Sequence, residues 1–99
     1  MHPDQLLPLI DDIVTEITGV DVHQSTRKRN VVDARRLLTA IAHSRGVRPS
    51  AIASHLHVDR QVVYHYVATR HLLPPALVRI ADERINVRIV EALQRESSE

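Results

Sequence analysis

The sequence has 99 residues, enough for one domain with its own core (residues 1–99) but too few for a second. It has no cysteine, which excludes disulfides and thiolate metal sites, and no apolar run approaches the roughly 18 residues of a membrane span. The absence of cysteine suits a reducing compartment, so we expect a cytoplasmic protein. Phenylalanine and tryptophan are absent while aliphatic residues are abundant, so we expect an all-α domain with an aliphatic core.

The net charge of +1 conceals an uneven distribution along the chain. Residues 1–22 carry five acidic side chains and no lysine or arginine, whereas residues 23–71 carry nine basic and two acidic side chains. Residues 72–99 carry four arginines and five acids. A concentration of positive charge is typical of a surface that neutralises phosphates, so the central segment predicts a polyanionic partner.

Apolar residues at three- and four-residue spacing predict a first helix that ends near Thr18, with Asp4 as its cap and Gly19 closing it. Pro8 falls within the first turns of this helix and lacks an amide donor. The helix therefore either begins late, near Leu7, or bends at the proline, and the sequence leaves both open.

A polar connection over residues 19–29 follows and ends in three consecutive basic residues. The helical period then returns and predicts a largely buried helix over residues 30–44, ended by Gly46. Arg35 in this helix has two interpretations. It either pairs with Asp33 or the acidic first helix, or it contacts phosphate.

Two short helices are predicted in the next segment. Pro49 and Ser50 open a helix that reaches Leu56, because proline is favoured in a first turn. Asp59 is a suitable N-cap for a second helix over residues 60–70. Two short helices joined by a turn of three or four residues form a helix-turn-helix.

Both positions that such a motif constrains carry suitable residues. Ala53 is small enough for the place where the two helices cross, and Val58 supplies an apolar plug in the turn. The second helix of this motif lies in the major groove of DNA, with its first residues near the base edges. The alternative interpretation is a helical hairpin whose surface is merely basic.

The second helix begins with residue types that read bases. Arg60 and Gln61 can make bidentate hydrogen bonds to guanine and adenine respectively. Tyr64 and His65 lie one turn further along and can reach a phosphate or a thymine methyl group.

A long C-terminal helix is predicted over about residues 75–95, beginning after Pro74. Its apolar stripe includes Ile80, Ile85 and Leu93. This stripe either completes the core or forms a homodimer interface, so we expect about five helices in all.

Residues 19–67 resemble the C-terminal DNA-binding domain of the bacterial replication initiator DnaA. The segment RKRNVVDARRLLTAIAH, residues 27–43, looks like the basic loop and following helix of that family, with a V-x-x-A-R pattern at residues 31–35. The segment VDRQVVYH, residues 58–65, falls on the family signature R-D-H-[ST]-T-V-x-H and matches it at Asp59, Val63 and His65.

The resemblance implies how DNA would be bound. One residue of the basic run Arg27, Lys28 and Arg29 would enter the minor groove, and Asp59, Arg60, Gln61 and Val62 would line the major groove. Arg60 replaces the signature histidine, and Gln61 and Val62 replace its two hydroxyl residues, so base and phosphate contacts differ from those of the family. The full predicted DNA-binding set is Arg27, Lys28, Arg29, Arg48, Ser50, Asp59, Arg60, Gln61, Val62, Tyr64 and His65.

Other classes of site find little support. The family's ATPase domain is missing, and neither glycine lies in a phosphate-binding loop, so no nucleotide is expected. His55 and His57 are spaced by two, which separates their side chains on a helix, so we predict no metal and no cofactor. Ser50 or Ser54 beside these histidines does not make a catalytic triad, and no enzyme activity is predicted.

The sequence therefore predicts a double-stranded DNA-binding domain with a sequence preference, acting as a regulator of replication or transcription. One alternative is a protein-interaction module that binds a replication protein. The other is a nonspecific architectural DNA binder.

Overall fold

The structure is a computed structural model that describes the backbone of residues 2–98 and the side chains of residues 2–96. It confirms the predicted all-α class with a long C-terminal helix. The predicted domain boundaries also include Met1 and Glu99, which lie outside the described residues. The helices are α1 (Leu7–Thr18), α2 (Arg29–Ser44), α3 (Pro49–Leu56), α4 (Arg60–Ala68) and α5 (Pro75–Ser98), with 3₁₀ turns at Pro3–Leu6 and Arg70–Leu72.

The start of α1 decides between the two alternatives for Pro8. A 3₁₀ turn precedes the helix, which begins late, at Leu7, so that Pro8 occupies the first turn where no amide donor is required. Gly19 ends α1 as predicted, in the left-handed region with φ 68°. The predicted capping role of Asp4 is wrong, because the 3₁₀ turn places Leu6 at the N-cap and the Asp4 carboxylate bonds to Arg48 instead.

The core is built around α2, as its predicted burial requires. Leu37, Leu38 and Ile41 of α2 are each at most 1% exposed. Aliphatic side chains of the other helices surround them, and each such burial stabilises the fold by about 1.5–3 kcal/mol. The fully buried members outside α2 include Ile10, Ile13, Val14, Ile52, Val63 and Ile85.

A turn of three residues joins α3 to α4 and forms the predicted helix-turn-helix. His57 takes a left-handed conformation with φ 56°, which reverses the chain, and the amide of Val58 donates to the carbonyl of Ala53 over 3.0 Å. Ala53 is buried, and Val58 packs against the core as the predicted plug. Asp59 holds the N-cap position, but its side chain makes no capping hydrogen bond. The second helix ends at Ala68, two residues before the predicted end.

The long helix α5 runs to Ser98, beyond the predicted end at residue 95. Only part of its predicted apolar stripe enters the core. Ile85 is fully buried, whereas Ile80 is 43% and Leu93 50% exposed. Two ion pairs attach the helix to the domain, from Arg45 to Asp82 and from Arg88 to Glu16, each over 3.0 Å. Within the described range, no helix is both long and apolar enough to cross a membrane.

Candidate nucleic-acid interface

The outer face of α4 carries the side chains predicted to read bases. Val63 and Tyr66 occupy the inner face and are buried, which leaves Arg60 and Gln61 exposed and Tyr64 54% exposed on the outside. Within residues 2–96, neither Arg60 nor Gln61 makes a hydrogen bond or ion pair through its side chain. Both polar groups are therefore available to a ligand.

An open groove brings the basic connection and α4 together. Its wall on the connection side includes Arg27, and its other wall includes Asp59, Val62 and His65. Arg27 is more than 30 positions away from the other three residues in the sequence. The groove is therefore a tertiary feature that joins the predicted minor-groove residue to the predicted major-groove helix.

The other predicted residues surround this groove. Ser50 shares a shallow cleft with Asp59 and Arg60, where the beginnings of α3 and α4 meet. Lys28 is exposed, and Arg29 is 96% exposed on its side chain and lies 3.9 Å from Asp33, a distance that leaves it nearly unrestrained. All of them can be reached by a large polyanion.

Arg48 differs from the rest of the predicted set. It immediately precedes α3 and remains 69% exposed, but its guanidinium donates to Asp4 Oδ2 over 2.9 Å. This hydrogen bond holds the pKa of Asp4 below its ordinary value. A phosphate at Arg48 would compete with that carboxylate, so Arg48 is the least available member of the set.

Arg35 has a structural role that neither interpretation of the sequence anticipated. Its guanidinium donates to the carbonyl of Val22 over 2.8 Å, to that of Thr26 over 3.4 Å and to that of Gln24. Arg35 therefore holds the connection against α2. The sequence contains no signal for this contact, because every residue has a carbonyl group.

Arg36 also bonds within the domain through its side chain. It is 8% exposed, bonds to Asp33 over 2.7 Å and to the Thr69 hydroxyl over 2.9 Å, and lies 5.7 Å from the centre of the Tyr66 ring. Its charge cannot contact a ligand. The central positive charge seen in the sequence is consequently larger than the charge that the surface offers.

Eight of the nine basic residues of the central segment fall into two groups, and the ninth, Arg29, has only the 3.9 Å contact with Asp33. Four make close hydrogen bonds within the domain: Arg35, Arg36, Arg45 and Arg48. Four others form no ion pair within the described side chains: Arg27, Lys28, Arg60 and Arg70. Three of this second group, all but Arg70, belong to the predicted DNA-binding set, so the free charge is concentrated there.

No family model matches this chain, and neither a curated protein nor a solved structure shows significant similarity to it. Its function must therefore be argued from its own residues.

Proposed function

We propose that this domain binds double-stranded DNA with a sequence preference and regulates replication or transcription by occupying its sites. The observation that carries the proposal is the groove in which Arg27 of the connection faces the beginning of α4, beside the exposed and unpartnered Arg60 and Gln61. A major groove about 12 Å wide admits a helix of this kind.

Each residue has a distinct part in this interaction. Arg60 and Gln61 make bidentate hydrogen bonds to guanine and adenine. Tyr64 and His65, one turn later, contact a phosphate or a thymine methyl group. Arg27 enters the neighbouring minor groove, and its neighbours in the basic run neutralise phosphates, which fixes the register of the protein on the duplex.

The resemblance to the DnaA DNA-binding domain supports this assignment, since it pairs a basic loop with a helix-turn-helix in the same order along the chain. Arg60, Gln61 and Val62 replace the base- and phosphate-contacting residues of that family's signature. We therefore expect a target sequence different from the initiator's own. The exposed Val87, Val90 and Leu93 of α5 offer a surface for a homodimer, which would produce a symmetric target.

The test is selection of bound duplexes from a random library, followed by affinity measurements on the selected sequence and on random DNA at two salt concentrations. Arg60→Ala and Gln61→Ala should each reduce affinity for the selected sequence by about 1–3 kcal/mol and relax the preference at one position. Arg84→Ala, which removes an exposed arginine of α5, is the matched control and should leave the preference unchanged.

Three results would contradict the proposal in different ways. An unchanged sequence preference in both α4 variants would exclude α4 as the reading helix. Binding without any enriched sequence, but with a steep salt dependence, would identify a nonspecific architectural protein. Absence of DNA binding even at ~50 mM salt, with a salt-insensitive affinity for a replication protein, would identify a protein-interaction module.

A further inference from the structure

Three side chains from separate segments meet at a point that the proposed DNA surface does not use. Asp11 comes from α1, His23 from the connection and His55 from α3. Asp11 Oδ2 lies 2.6 Å from Nε2 of His23 and 2.7 Å from Nε2 of His55. The three ligand atoms all lie within 4.8 Å of one another.

The spacing of the two imidazole rings is compatible with a shared metal ion. Their ring centres are 5.1 Å apart and their planes are inclined by 63°. Tetrahedral zinc with Zn–N bonds of ~2.0–2.1 Å places the centres of two bound imidazole rings about 5 Å apart. To accept the ion, the carboxylate oxygen and each imidazole nitrogen would separate by less than about 1 Å, from 2.6 and 2.7 Å to the ~3.4 Å typical of neighbouring ligand atoms.

The side chains of the cluster are held in place by the fold, and solvent can still reach them. The side chains of Asp11 and His55 are 14% and 21% exposed, whereas that of His23 is 38% exposed and leaves a path from solvent. The second carboxylate oxygen of Asp11 accepts a hydrogen bond from the Thr15 hydroxyl over 3.3 Å, which helps to orient the carboxylate. The backbone of His23 is fixed by a 2.9 Å hydrogen bond from its amide to Asp21.

The surroundings of Asp11 also favour its charged form, which is the form that binds metal ions. Burial raises the pKa of Asp11, but the hydrogen bonds with His55 and His23 outweigh this effect and hold the pKa below its ordinary value. Two imidazoles and one carboxylate are donors that suit zinc, whereas calcium and magnesium prefer oxygen ligands alone.

We propose that Asp11, His23 and His55 bind one zinc ion, with a fourth position open to water. The ion would cross-link side chains of α1, the connection and α3, which have no covalent cross-link at this point. Its structural consequence would be a more rigid connection and a more stable domain. This site is independent of the proposed DNA binding, and each can fail without the other.

The sequence predicts no metal, because His55 and its neighbour His57 do not form a ligand set by themselves. The ring centre of His57 lies 6.3 Å from that of His23. The partners that complete the set, Asp11 and His23, are 44 and 32 positions away from His55 in the chain. Only the tertiary fold brings them together.

The experiment is a calorimetric titration of the protein, without any histidine tag, with zinc chloride, together with thermal unfolding in the presence of zinc and of a chelator. We expect one zinc per chain, a higher melting temperature with zinc, and visible absorption bands of tetrahedral intensity when cobalt replaces zinc. Asp11→Asn and His55→Gln should each weaken zinc binding by at least about tenfold.

His43→Gln is the matched control, because His43 is an exposed histidine of α2 outside the cluster and its loss should leave the affinity unchanged. If the partly buried variants fail to fold, His23→Gln replaces them, since His23 is the most exposed ligand and lies outside the helices. Absence of binding at micromolar zinc, or equal affinities in His23→Gln and His43→Gln, would overturn the proposal. The cluster would then be only a hydrogen-bonded one.

Discussion

Thr39 is the one fully buried hydroxyl in the described part of α2 that lacks a hydrogen-bond partner. Its residue is 0% exposed, and its Oγ1 atom has no partner. Thr39→Val replaces the hydroxyl with a methyl group of similar size, so we expect an increase of about 1 kcal/mol in the free energy of unfolding. Urea denaturation measures the change.

Thr39→Ser is the control for this substitution, because it keeps the hydroxyl and removes the methyl group. It should lower the stability. A Thr39→Val protein less stable than the original would show that the hydroxyl is satisfied in solution.

The ion pair between Asp4 and Arg48 predicts a dependence on pH. The folded pKa of Asp4 lies below its ordinary value of 3.8, so the pair stabilises the fold above that value, and the stabilisation disappears as the pH falls through the lowered folded pKa. We therefore expect the stability difference between the original protein and Asp4→Asn to be present at neutral pH and to vanish as the pH falls through the lowered folded pKa of Asp4.

Urea denaturation at a series of pH values, from neutral to well below the ordinary pKa of an aspartate, measures this difference. Arg48→Gln should remove the same dependence, since it removes the same pair. A difference that stayed constant over the whole range would mean that the carboxylate acts through its shape rather than its charge.

Residue identity alone predicted charge but not how each charge is used. Arg35, Arg36 and Arg60 are equivalent in a composition count, yet two of them hold the fold together and one is free. The exposure of Arg60 could be predicted because its position follows from a local motif. The roles of the other two depend on carbonyls and side chains that the sequence places elsewhere.

Among the elements, α2 and α3 were predicted to within one residue at each end. Their periodicity and their ends are local properties, with Gly46 and Pro49 marking the boundary between them. The burial of α5 was predicted less well. Periodicity identifies the apolar face of a helix. How much of that face is buried depends on how far α1 and α2 extend alongside α5.

The connection before α2 is an element without regular structure, and one side chain of α2 binds three of its carbonyl groups. Arg35→Gln removes the guanidinium that binds three carbonyls of residues 22–26. We expect a loss of about 1–2 kcal/mol in stability, reduced from the value for buried charged hydrogen bonds because the site is partly exposed. Hydrogen exchange of the connection should accelerate, since its backbone is no longer held against α2.

Lys28→Gln is the matched control, because Lys28 is an exposed cation of the same connection. It should change neither the stability nor the exchange. If Arg35→Gln accelerated exchange throughout α2 as well, Arg35 would be supporting the core rather than the connection.

For the molecule as a whole, some of the described basic residues are unpaired and others form hydrogen bonds within the domain. This difference predicts how binding to DNA responds to salt. Arg27→Ala, Lys28→Ala and Arg29→Ala should each lower the slope of log affinity against log salt by about one unit, because each removes one phosphate neutralisation. Arg79→Ala, at an exposed arginine of α5, should leave the slope unchanged. Binding isotherms at four or more salt concentrations give the slopes.

Features that join distant parts of the chain could not be predicted from the sequence. The groove between Arg27 and His65 and the cluster of Asp11, His23 and His55 depend on how the helices pack. The helix-turn-helix itself was predictable because its two helices and its turn are contiguous. The placement of the basic connection beside it was expected only from the resemblance to DnaA.

The two tyrosines of α4 lie in opposite environments. Tyr66 is 5% exposed, beneath the guanidinium of Arg36, whereas Tyr64 is 54% exposed on the outer face. Since the chain has no tryptophan, its ultraviolet emission comes from these two phenol rings alone. A soluble quencher such as iodide should therefore reach one fluorophore and spare the other, and Tyr64→Phe would leave a single optical probe of the interior that requires no attached dye.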